Sequence, residues 1–152
     1  MHDADVIPLR CPASPRLDPH LSSLVAAVDG VSGVVVASLD GFALAQVGRA
    51  DGGAERLAAM TSSMLGLANA LGRELDIGVL DTLLLDAEHG KVLMLTIPAQ
   101  PTRLLMAACN QDCVMGQILW HAKQCVRAIA AAMDADQAAA PVPLAMNSTP
   151  TF

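Results

Sequence analysis

The chain has 152 residues, enough for one domain with tails, and a net charge of -6. Apolar residues make up 53% and charged residues only 16%, against a typical ~25%. This excludes a disordered acidic chain, and the scattered Lys and Arg exclude the clustered cations that nucleic acid or an anionic membrane surface requires.

Residues 1–16 hold Pro8, Pro12 and Pro15, follow no period and read as a flexible N-terminal tail. The opening MHDADVIPLR is acidic where an export signal is basic, so a cytoplasmic chain with four reduced thiols is expected. The folded unit is expected over 17–133. Asp18-Pro19 reads as an N-cap with Pro at the first helical position, and Leu17, Leu21, Leu24, Val25 and Val28 recur at helical spacing to about Asp29. Gly30 and Gly33 stop this helix. Two β-rich runs then flank Asp40-Gly41, the pattern of a hairpin with a tight primed turn.

A long helix is predicted from Asp51 to Leu75. Its Leu57–Gly72 segment has no charge, but Thr61, Ser62, Ser63 and Asn69 make it too polar, and its length too short, to span a bilayer. Leu57, Met60, Met64, Leu67, Ala68, Leu71 and Leu75 form one stripe, expected to pack on a sheet. The opposite face carries Ala59, Ser62, Ser63, Gly66, Asn69 and Ala70, with Glu55 and Arg73 at its ends. A solvated face would carry Lys and Glu there. Small residues at this spacing let another backbone approach, which points to a helix–helix interface between two copies of the chain.

Three strands follow: 79–85, 91–97 after a turn at Glu88-His89-Gly90, and 103–109 after Pro98 and Pro101. A last helix is predicted over 114–133, with Met115, Ile118, Ala122, Cys125, Val126, Ile129 and Met133 as its buried arc. Residues 134–152, Ala/Pro-rich, read as a flexible C-terminal tail. The fold class is α/β (α+β), in the order α-β-β-α-β-β-β-α. Short links make the sheet largely antiparallel, and strands apolar at consecutive positions require cover on both faces.

No phosphate loop, dinucleotide fingerprint, nucleophile elbow, zincin or EF-hand motif occurs, so no enzyme, cofactor or bound metal is expected. Cys109, Cys113, His121 and Cys125 form C-x3-C-x7-H-x3-C, which leaves a thiol- or zinc-dependent sensory module as an alternative. Against it, the gaps match no familiar finger, and Cys109 and Cys125 fall on buried positions. Trp120 projects opposite the buried arc, among Gln117, Lys123, Gln124 and Arg127, and is a candidate partner contact.

Four segments, VSGVVVASLDGFALAQ (31–46), ERLAAMTSSMLGLANALGREL (55–75), LLLDAEHGKVLML (83–95) and LLMAACNQDCVMGQILWHAKQC (104–125), resemble the Roadblock (dynein light chain) family, in particular its bacterial MglB-like branch. The entry to the last helix departs from the family, which often has Asn-Leu-Gly where Asn110 and Gly116 here stand apart. The resemblance implies a five-stranded antiparallel sheet with the middle helix on one face and the terminal helices on the other. It implies a homodimer through that helix and the third strand, with Ala59, Ser62, Ser63, Gly66, Asn69, Ala70, Arg73, Val79, Asp81 and Leu83 at the interface. It also implies a non-catalytic regulator or adaptor of a Ras-like small GTPase or of a signalling complex containing one. Beside Trp120, Lys123 and Arg127, the arginines Arg49 and Arg56 are candidate polar contacts for such a partner. A purely structural scaffold subunit is the remaining alternative.

Overall fold

The computed structural model describes residues 14–49 and 53–139. The elements are α1 (Asp18–Ala27), β1 (Val31–Ser38), β2 (Ala43–Gly48), α2 (Ala54–Glu74), β3 (Thr82–Ala87), β4 (Gly90–Ile97), β5 (Arg103–Asn110) and α3 (Met115–Ala139). The order is the one expected, and the strands form a single sheet, β2-β1-β5-β4-β3, with every neighbouring pair antiparallel.

Helices α1 and α3 cover one face. Alternate strand residues, Val34 and Val36, Leu93 and Leu95, Leu105 and Ala107, pack there against Leu21, Leu24, Ile118, Ala122 and Ile129. On the other face Val35, Ala37, Met94, Leu104 and Met106 pack against Ala54, Ala58 and Leu65 of α2. Consecutive apolar residues in β1, β4 and β5 therefore serve two cores, which is why these strands do not alternate.

Several expectations are corrected. α1 begins at Asp18 with Leu17 as N-cap; the Asp18 carboxylate accepts the Ser14 N–H, 3.1 Å, and caps no N–H within the helix. α2 begins at Ala54 after Gly53, and Asp51 lies outside the described residues. β3 begins at Thr82, so Val79 and Asp81 precede it. Asn69 accepts the Leu80 N–H, 2.9 Å, and the Ile77 N–H bonds to the Gly72 carbonyl, 3.0 Å, which folds the 75–80 connection back on α2. α3 runs to Ala139, so 134–139 is helix. There Asp136 pairs with Arg16 and the Gln137 amide donates to the Gln100 carbonyl. Most of the expected tails, 1–13 and 140–152, lies outside the described residues.

Candidate interaction surface on the middle helix

The orientation of α2 overturns one reading of its faces. Its sheet side is made of Ala54, Ala58, Thr61, Leu65 and Gly72, all buried. The leucine and methionine stripe is divided: Leu57 and Met64 are half-buried and pack on the border of this core, whereas Met60 at 51% exposed, Leu67 at 69% and Leu71 at 58% turn toward solvent. The reason is proximity. α2 crosses β1, β2 and β5 at close range, and the hairpin between β1 and β2 climbs onto it. A Cβ on Gly41 would stand 3.2 Å from the Ala59 Cα, and one on Gly72 would stand 2.7 Å from the Gly78 carbonyl oxygen. The buried side of the helix is accordingly made mostly of small residues, with Leu65 the large exception. Thr61, buried in this layer, donates its hydroxyl to the Leu57 carbonyl, 2.7 Å, and so brings no unsatisfied group with it.

The small-residue face divides. Ser62 donates to the Leu39 carbonyl and Asn69 holds Leu80, so both polar groups are used within the chain. Ala59, Ser63, Gly66 and Ala70 are exposed, and a Cβ on Gly66 would meet nothing within 4 Å. Beside them the hairpin exposes Leu39, 55%, and Phe42, 65%. The outward side of α2 from Leu57 to Ala70 is therefore uncharged throughout, large on one flank and small on the other.

The large flank continues onto the sheet. α2 leaves the same face of β3 and β4 partly open, and Met64, Leu67 and Ala68 border an apolar hollow of about 350 Å³ with Leu83 and Leu85. Beyond it β3 is an edge strand, with no neighbour on its outer side among the described residues. Of the other expected interface positions, Arg73 is exposed in the last turn of α2. Val79 is 92% exposed on the connecting loop. Asp81 is exposed 3.9 Å from the Lys123 ammonium.

The other candidate contacts lie apart. Arg49 is exposed just after β2 and Arg56 is exposed in the first turn of α2, whereas Trp120, Lys123 and Arg127 are on α3, across the sheet from α2. Trp120 is 59% exposed and stands edge-on to His121, ring centres 4.9 Å apart.

The cysteine–histidine set also splits. Cys109 and Cys113 are buried as neighbours where β5 turns into α3. His121 and Cys125 instead line a hollow of about 240 Å³ between α1 and α3 with His20. Burial first, then the Cys113 neighbour, pushes the Cys109 thiol up to about 12, with Lys91 opposing; burial alone pushes Cys125 up to about 11. Both stay protonated at neutral pH, the reverse of an activated nucleophile. Among the described residues no three His, Cys, Asp or Glu side chains gather as a metal site of those ligands would require.

A five-stranded antiparallel sheet carrying one helix on one face and two on the other is the Roadblock architecture. The chain belongs to the Roadblock/LC7 domain family, whose pattern matches residues 17–106. Solved structures agree in fold. The chain is similar to a Roadblock/LC7 domain from Streptomyces avermitilis, at 19% identity over 74% of this chain and 93% of that one, with a TM-score of 0.69. It is similar to Myxococcus xanthus MglB at 10% identity over 80% and 97%, TM-score 0.72. It is similar to the gliding protein MglB of Thermus thermophilus at 14% identity over 86% and 99%, TM-score 0.70. No curated protein sequence matches the chain. Among the described residues no helix is long and apolar enough to cross a membrane.

Proposed function

We propose that the protein is a homodimeric, non-catalytic regulator or adaptor that acts on a Ras-like small GTPase or on a signalling complex containing one. The observation that carries this reading is the uncharged outward side of α2, continuous with an apolar sheet face and the free edge of β3. A second copy related by a two-fold axis would cover both at once. Its β3 would extend the sheet, and its Met60, Met64, Leu67 and Leu71 would meet the same residues here. Ser63 and Leu83 border this contact. Ala59, Gly66 and Ala70, with Leu39 and Phe42 beside them, lie on the far flank of α2 and form the surface left for the GTPase. The family membership and the two MglB structures support a regulatory role, exercised by holding one conformation of the partner's switch segments.

Light scattering tests the dimer. The wild type is expected at twice the chain mass, and Leu67→Glu at the chain mass, because a carboxylate buried without a partner costs several kcal/mol. A wild type of single-chain mass would overturn the proposed interface. The GTPase link is tested by nucleotide turnover of small GTPases from the same cell with and without the protein. Unchanged turnover together with no binding in either nucleotide state would leave the scaffold reading in its place.

A further inference from the structure

We propose that the cavity between α2 and strands β4 and β5 is a seat for a soft monovalent metal ion, copper(I) or its analogue silver(I), held by the thioether sulfurs of Met60, Met64, Met94 and Met106. The cavity has a volume of about 200 Å³, and these four methionines line it together with Leu57, Thr61, Leu85, Val92 and Ala108. They are half of the eight methionines in the chain.

Their convergence follows from register. Met94 and Met106 are direct partners across β4 and β5, in a row that runs Val35, Met106, Met94, Leu83 across the sheet. Opposite positions on one face place Cβ atoms ~5 Å apart. Met60 and Met64 are one helical turn apart on α2, which places their Cβ atoms ~5–6 Å apart above that row. The sheet pair is buried, at 4% and 3%, while Met60 stands at the mouth. Two adjacent pairs thus face one another across an open space. Each side chain is unbranched with three rotatable bonds, so the sulfurs are free to converge.

The lining selects the ion. It contains no carboxylate, imidazole or thiol, and the only hydroxyl, that of Thr61, donates to the Leu57 carbonyl. Hard divalent ions such as magnesium and calcium would lose their water for nothing equivalent, and zinc, a borderline ion, finds none of the thiolate, imidazole or carboxylate ligands it takes. Neutral thioethers suit a soft cation of single charge. No ligand loses a proton on binding, so occupancy should not depend on pH between 5 and 8. This proposal goes beyond the regulator reading and holds whether or not a second copy covers the mouth.

The test is a silver(I) titration of the full chain carrying methyl-13C methionine, read residue by residue. The expected result is a joint, saturable shift of the Met60, Met64, Met94 and Met106 methyl signals, the same at pH 5.5 and 7.5. Met1, Met115, Met133 and Met146 should not move, nor should any signal with zinc. Met60→Leu/Met64→Leu keeps the side-chain volume and should weaken binding at the sheet pair by roughly tenfold or more. Silver taken up by the cysteines alone, with the four methyl signals unmoved, would overturn the proposal. So would shifts of Met94 and Met106 that are unchanged in the double variant.

Discussion

The clearest single-residue consequence concerns the buried thiols. Cys109 rises from 9.0 to about 12 and Cys125 from 9.0 to about 11 on folding. The folded chain therefore holds these protons more tightly than the unfolded one. Their contribution to stability is complete below pH 9 and is lost as the pH climbs through 11 and 12. With no Tyr and two lysines in the sequence, few other groups titrate in that window. Urea midpoints at pH 8 and 10.5 should fall further for the wild type than for Cys109→Ala/Cys125→Ala. Equal losses would show that the thiols are solvated.

At the scale of the element, two glycines of α2 separate its faces by experiment. Gly66→Ala should stabilise the helix by about 0.5–1 kcal/mol, since the added methyl meets open space and the residue loses unfolded-state freedom. Gly72→Ala should destabilise, because its methyl would press on the Gly78 carbonyl backbone at 2.7 Å. Thermal melts of the two variants should move in opposite directions. A loss at Gly66 would place another backbone against that flank, as the sequence reading had it. The same helix marks the limit of that reading. Gly, Pro and Asp punctuation made all eight elements and their order legible. Periodicity could not orient α2, because a helix with no charge from Leu57 to Gly72 offers two apolar faces and no polar one. Size alone points the larger face at the sheet, whereas the structure seats mostly small residues there, with Leu65 among them and Leu57 and Met64 packing at the border. The early strand start at Val79 has a related cause. Val79 and Leu80 are apolar, but the side chain of Asn69 and the backbone of Gly72 hold the loop against the helix. Residues 134–139, in contrast, carried a readable signal. Alanine is the best helix former, and the neighbouring prolines drew the boundary too early.

At the scale of the whole molecule the two faces of the sheet have unequal endowments. The α1–α3 side has its own closed core, in which Leu21, Ile118 and Ile129 are fully buried. The α2 side leaves Met60, Leu67, Leu71 and the open part of β3 and β4 in water unless something covers them. If a second copy does, folding and association become one equilibrium, and the melting temperature must depend on concentration. With roughly 120 ordered residues per chain at about 0.7 kcal/mol each, unfolding a dimer absorbs about 170 kcal/mol near 60 °C. A tenfold change in concentration is worth about 1.4 kcal/mol, so the melting temperature should rise by about 3 °C per decade. Leu67→Glu should melt at a temperature independent of concentration, and lower than the wild type at every concentration. Scanning calorimetry across two decades decides it. A flat wild-type profile would mean that the stripe is tolerated by a free subunit or is covered by a partner absent from the purified protein. In either case the self-association in the proposed function would fall, while the architecture of the sheet and its two cores would stand unchanged.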